Sequence, residues 1–208
     1  MSTPISLRDT ERKMFRAATN DGLTDVFLGC FFLMFVIAPY LSVYWGDFWS
    51  SAVFLPFWGL VWLVLRWVRK NVIQPRLGTV KFGSARVAKL KSFNFIMLAI
   101  NVVALILGIF AFKNFAEMPL SAYPIVFGVM LLVGFSLSGY FLDIPRFYGY
   151  GLLTALAPLV GEMLWQEGLV SHHGYPVVFG ATSAIMILTG LSIFVRLLRQ
   201  YPGPADAA

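Results

Sequence analysis

Six long apolar runs leave this chain few folds to choose from. A bilayer core about 30 Å thick takes about 20 apolar residues in a helix rising about 1.5 Å each. Only helices and closed barrels satisfy every backbone polar group in lipid. The runs cover about residues 23–43, 49–67, 95–112, 120–142, 148–165 and 175–198. Each is long enough to cross as a helix, so helices are expected. The composition agrees: 59% of residues are hydrophobic, 12% are charged and the mean hydropathy is +0.77. A soluble particle of 208 residues has too little interior to hide that much apolar surface. The expected fold is an all-α integral membrane protein, a six-transmembrane-helix bundle.

Charge placement sets the expected orientation. Basic residues are retained on the cytoplasmic side of short connections. With six spans, fifteen of the sixteen Lys and Arg residues share one face and Lys113 alone lies on the other. Four are in the N-terminal segment and eight in the connection 66–92, with Arg146, Arg196 and Arg199 making up the rest. Both termini are therefore expected in the cytoplasm, in a multi-pass protein of the cell membrane. Trp45, Trp49 and Trp165 fall near the outer ends, where an interfacial aromatic belt belongs. The fifth run is the weakest, because it contains Thr154, Pro158, Gly161 and Glu162.

Outside the spans, residues 1–20 form an expected cytoplasmic amphipathic helix lying in the headgroup plane. Leu7, Met14, Phe15 and Ala18 fall on one face, and Arg8, Arg12, Lys13 and Arg16 occupy the others. Asp21-Gly22 turns the chain into the first span. Asp25 sits in that span's first turn, where the helix dipole favours a carboxylate. The basic segment 66–92 reads as a cytoplasmic loop, with a turn at Pro75 and Gly78 and a short strand over Thr79–Phe82. Residues 199–208 read as a disordered tail.

Two sets of residues carry the candidate chemistry. Arg69, Lys70, Arg76 and Lys81 form a polybasic juxtamembrane group, worth about 1 kcal/mol per charge near an anionic leaflet. Glu162, in the outer third of the fifth span, is the clearest ionisable residue within a span, and such a side chain costs about 2.5–3.5 kcal/mol on insertion scales. Thr154, Pro158 and Glu162 share one helix face, and Pro158 frees the carbonyl of Thr154. With Asn101 in the third span, they are candidates to line a ligand cavity. Lys113 and the pair His172 and His173 are the candidate partners of Glu162, and snorkelling to the outer interface is its alternative. Gly134 with Ser138, Gly180 with Ala184, and Gly149, Gly151 and Ala155 supply small faces for close helix packing. Asn101, Thr182, Ser183, Thr189 and Ser192 are expected interhelical hydrogen bonders.

Several classes are excluded or disfavoured. Cys30 is the only cysteine, so neither a disulfide framework nor a Cys-rich zinc site can form. Ser138 and His173 lie at opposite ends of their spans and make no protease dyad. No catalytic residue set, metal site or cofactor motif is found, and no nucleic-acid partner is expected despite the charge of +6. The first functional expectation is binding or transport of a small solute or lipid within the bundle. The second is a non-enzymatic accessory subunit that docks a partner membrane protein, a second copy or anionic lipid through its basic face. A membrane-embedded lipid enzyme is third, so enzyme activity is left open, leaning against.

Overall fold

A computed structural model describes residues 20–77, 84–113 and 122–201. Among these the secondary structure is helical throughout. Helix α1 spans Leu23–Ala52 and opens on a left-handed Gly22, at φ 78°. The Asp21 carboxylate closes that turn, its Oδ1 accepting the Leu23 amide at 3.0 Å. Gly46, at φ 74° and ψ 164°, breaks α1 late in its length. The first expected span, 23–43, is the part that precedes this break.

Helix α2 then runs over Phe54–Val68, a π turn over Arg69–Ile73 and a short α3 over Gln74–Leu77. Proline explains the π turn. Pro75 has no amide to give the carbonyl of Asn71, and the register shifts just ahead of it, the Gln74 amide reaching Arg69 O. Helix α4 spans Ser84–Lys113 and α5 spans Ala122–Leu142. A tight corner follows, with Asp143 at φ 58° and the Ile144 amide bonded to Gly139 O at 3.1 Å. Helix α6 covers Arg146–Gln166, a 3-10 turn covers His172–Gly174, and α7 covers Tyr175–Gln200.

Five helical stretches are long and apolar enough to cross a membrane: Leu23–Ala52, Val87–Ile106, Pro124–Leu142, Arg146–Gln166 and His172–Gln200. The weak link is not where hydropathy places it. Helix α6, despite Pro158 and Glu162, meets the requirement. Helix α2 has 15 residues, about 22 Å at 1.5 Å per residue, and falls short of a core about 30 Å thick. The expected second span, 49–67, starts too early. Its first residues belong to the end of α1, and Val53 makes the corner.

The basic segment 66–92 is not the expected loop, because residues 66–77 and 84–92 are helical. Lys and Arg are good helix formers, and their charge alone does not end a helix. Arg199 and Gln200 likewise belong to α7 rather than to a tail. The amphipathic helix over residues 1–20 (apart from Asn20), Lys81, the strand over Thr79–Phe82 and the tail beyond Tyr201 lie outside the described residues.

The chain divides into two compact units, Met1–Phe82 with Phe179–Ala208, and Gly83–Val178. In the first, α1 packs on α7 through aromatic rings. Phe179 stacks on Phe32 and Phe35 at centroid distances of 5.6 and 4.7 Å, and Phe31 stacks on Trp58 at 4.6 Å. Phe32, Phe179 and Met186 are fully buried there. Such ring pairs add about 0.5–1.5 kcal/mol each beyond the area they bury. Glycine sets how close the two backbones come. A Cβ on Gly29 would meet Ile187 Cγ1 at 2.5 Å and Ser183 O at 2.9 Å. At that approach the Ser183 hydroxyl donates to Gly29 O across the pair at 2.7 Å.

The second unit centres on α5 and α6. Phe135 meets Phe147 and Tyr150 edge-on, at 6.1 and 6.4 Å. A Cβ on Gly128 would run into the Ala155 carbonyl, and one on Gly151 would meet Phe135 Cβ at 3.0 Å. The expected small faces are thus used in part. Gly151 and Ala155 lie in the seam, whereas Gly134 and Gly149 face open space. Helix α4 has no buried residue between Val87 and Ile106, and Lys89 ties it to α5 by donating to Tyr140 O at 3.1 Å.

Candidate functional site

The basic end of α2 is organised around one buried carboxylate. Asp21 is fully buried, and its Oδ2 accepts both Nε and Nη2 of Arg69 at 2.7 Å. Its Oδ1 is already committed to the Leu23 amide. Burial pushes the Asp21 carboxyl above its ordinary value of 3.8, against the opposing charge and hydrogen bond of Arg69. Asp25, also buried, adds a like charge that pushes the same way. The turn, the helix start and the end of α2 are thereby locked by a single side chain.

Arg66 and Arg69 border a cleft of about 390 Å³ lined by Leu23, Thr24, Phe27, Trp62 and Leu65. The Arg66 guanidinium lies 5.1 Å from the Trp62 ring centroid, a cation–π distance. Lys70 is exposed, and Arg76 Nη1 reaches Val72 O at 3.4 Å. Of the four expected anionic-lipid residues, Arg69 is at the cleft, Lys70 and Arg76 lie beyond it on the π turn and α3, and Lys81 is outside the described residues.

The ligand-cavity candidates do not converge on one space. Thr154 is fully buried, and its hydroxyl donates back to Tyr150 O at 2.8 Å and Gly151 O at 3.2 Å. Pro158 is buried too. Asn101 is exposed, and its amide donates to Met97 O, one turn back, at 2.8 Å. Glu162 sits near the end of α6, where Oε2 is 3.0 Å from His173 Nδ1 and Oε1 accepts from Gln166 Nε2 at 3.3 Å. The Trp165 ring lies 4.1 Å from that of His173, and the 3-10 turn presses on α6 through Gly161 and Gly174. Of the expected partners of Glu162, His173 is in contact; the Lys113 side chain is outside the described part.

Sequence reasoning also placed Ser138, Ser183 and Ser192 among helix contacts. Ser183 bridges α1 and α7 as described above, while Ser138 and Ser192 bond their own helix at Gly134 O and Thr189 O. Two further clefts are apolar. One, of about 620 Å³, lies beside the Gly46 break among Trp45, Trp49, Ala52, Val53 and Pro56. The other, of about 360 Å³, lies between α4 and α5, bordered by Phe95, Ala99, Val129 and Met130.

Among the described residues no group of three or more His, Cys, Asp or Glu side chains converges as a metal site would require. Sequence reasoning missed Trp62 and Arg66 as cleft residues and Asp21 as the partner of Arg69. A pairing across 48 residues leaves no periodic signal to find. No protein-family model, curated protein or solved structure matches the chain, and the site stands on its own geometry.

Proposed function

We propose that this is a six-span membrane protein with both termini in the cytoplasm, acting by binding rather than by catalysis. Its basic cytoplasmic face engages anionic phospholipid. The observation that carries this reading is the placement of Arg66, Arg69, Lys70 and Arg76 along one continuous helix that begins as apolar α2. In a spanning helix such a cluster falls at the headgroups, where each charge gains about 1 kcal/mol from an anionic leaflet. The sixth span is α2, which is short for the core, and the basic side chains at its end reach the headgroups on their long aliphatic stems. Transport through a polar cavity has less support, since Glu162, Thr154 and Asn101 are each engaged locally.

Lipid retention tests the reading. The full chain, extracted with its surrounding lipid, is expected to keep an excess of anionic species that shrinks with salt. Replacing Lys70, Arg76 and Lys81 together with Gln should lower that excess several-fold. An unchanged lipid composition would count against it. It would favour instead the accessory-subunit reading, which the exposed face of α4 and the apolar cleft beside it support.

Topology is tested separately. Reporter fusions at Asp47, Glu117 and Gly168 are expected to report outside, and a fusion after Ala208 inside. An outside signal at Ala208 would reduce the span count to five.

A further inference from the structure

The cleft beside Arg66 combines two chemistries that a surface polybasic patch does not need. Its walls are apolar: Leu23 and Phe27 from α1, Trp62 and Leu65 from α2. Its charged rim is cationic, because Arg66 and Arg69 border it while Asp21 and Asp25 are buried. Both guanidiniums are also held in place. Arg66 rests against the Trp62 ring, and Arg69 is fixed by two contacts to Asp21 Oδ2. A fixed guanidinium loses less conformational freedom on meeting a phosphate than a free lysine does. Thr24, in the first turn of the 30-residue α1, adds a hydroxyl on the same rim.

Building on the anionic-lipid reading above, we infer that this cleft holds one anionic phospholipid, its phosphate at Arg66 and an acyl chain along Phe27, Trp62 and Leu65. Free phosphate fits less well, because Leu23, Phe27, Leu65 and the face of the Trp62 ring are apolar surface that a lipid chain covers and an ion leaves bare. A volume of about 390 Å³ lies within the range of small-ligand sites and takes the glycerophosphate and upper chain. The remaining chain lies in the bilayer beside α1 and α2. Arg66 contributes the charge that reads the phosphate. Arg69, ion-paired with Asp21, acts as a positioning residue that shapes the rim. This differs from a diffuse counterion effect in being saturable and stoichiometric, at one lipid per chain.

Brominated phospholipids, which quench nearby indoles, test it directly. The full-length protein is placed in phosphatidylcholine nanodiscs containing a rising, small fraction of brominated phosphatidylglycerol. Tryptophan quenching is expected to saturate at one lipid per chain and to lose its saturable part in Trp62→Phe. Arg66→Gln should weaken the midpoint about tenfold by removing one charge-assisted phosphate contact, and Arg66→Lys should restore part of it. The Lys70, Arg76 and Lys81 triple variant should leave the saturable part in place while lowering the general anionic-lipid excess, so the two proposals fail separately. Quenching equal for phosphatidylcholine and phosphatidylglycerol, or linear throughout, overturns the site. So does an unchanged Arg66→Gln midpoint, full displacement by inorganic phosphate, or a cleft already filled by the chain's own N-terminal residues and closed to added lipid.

Discussion

Replacing Arg69 with Met is expected to lower the unfolding free energy by about 2–3 kcal/mol near pH 7. Removing one partner of a buried ion pair costs about 3–5 kcal/mol, because the other charge is left uncompensated. The lower figure applies here because the Arg69 side chain is 46% exposed, so water already screens part of the pair. The Asp21 carboxylate has no such relief at 0% exposure, and it also holds the start of α1. In a chain of this size the loss corresponds to a fall in Tm on the order of 5–10 °C in a fixed detergent.

The pH dependence separates this mechanism from a simple packing defect. Burial already raises the Asp21 carboxyl above its ordinary value, and Arg69 is the main group that opposes the rise, with the Leu23 amide beside it. Without Arg69 the folded protein holds that proton more tightly than the unfolded chain does. A group of this kind favours the fold at acid pH, and stability is lost as pH climbs from the unfolded pKa through the folded one. The deficit of Arg69→Met should therefore be smallest at acid pH and grow as the pH rises toward neutrality. Asp21→Asn alone should cost below about 1 kcal/mol, since an amide oxygen still accepts the Leu23 amide and Arg69 returns to water. Combined with Arg69→Met, it should restore most of the lost stability. A double variant no more stable than Arg69→Met would show that the buried charge is not the cause.

Much of this architecture is written in local sequence. Hydropathy runs place α5, α6 and α7 to within a few residues, and α1 as far as the Gly46 break, because an apolar stretch of that length has no other stable use. Asp21-Gly22 marks a turn by its own chemistry, and the left-handed Gly22 follows from it. The failures are instructive because each involves a tertiary or backbone effect that hydropathy does not sense. The run beginning at Trp49 stays apolar on average despite Ser50 and Ser51, so its hydropathy does not reveal that Val53 turns the corner and that α2 is left with 15 residues. The basic segment reads as a loop on charge, yet long Lys and Arg side chains are compatible with helix. At Pro75 the backbone gives way by one residue in register and continues as α3.

The polar stripe of Thr154, Pro158 and Glu162 is real as a helix face, but periodicity cannot say what a hydroxyl bonds to. Thr154 satisfies itself on the carbonyls of its own preceding turn. Glu162 finds a histidine eleven residues along the chain. The cleft at Arg66 was illegible for the opposite reason. Its walls come from two helices whose apolar residues look alike in sequence, and only their packing brings Leu23 and Phe27 to Trp62.

The glycines give the second large effect, and they sort into two groups that sequence alone does not separate. Gly22 and Gly190 face each other where the start of α1 crosses α7. A Cβ on Gly22 would run into the Gly190 carbonyl, and one on Gly190 would meet Gly22 O at 2.5 Å and Asp25 Cβ at 2.9 Å. These are backbone and short-side-chain neighbours with little room to yield. Gly22→Ala also forces a left-handed backbone on a residue that resists it by about 1–2 kcal/mol. Adding about 1–3 kcal/mol for overpacking gives an expected loss of roughly 3–4 kcal/mol for Gly22→Ala. Gly190→Val, with two more methyl groups at the same contact, should keep the protein from accumulating folded. Gly134 and Gly149 lie in helices with nothing within 4 Å of the position a Cβ would take. There the same change to Ala removes glycine's backbone entropy cost and should be neutral or stabilising by up to about 1 kcal/mol. Unfolding Gly22→Ala, Gly134→Ala and Gly149→Ala in one detergent compares them directly, and the folded yield of Gly190→Val is read beside them. If Gly22→Ala and Gly149→Ala behaved alike, the close crossing of α1 and α7 would be wrong. The seat of Asp21, which depends on that crossing to stay dry, would go with it.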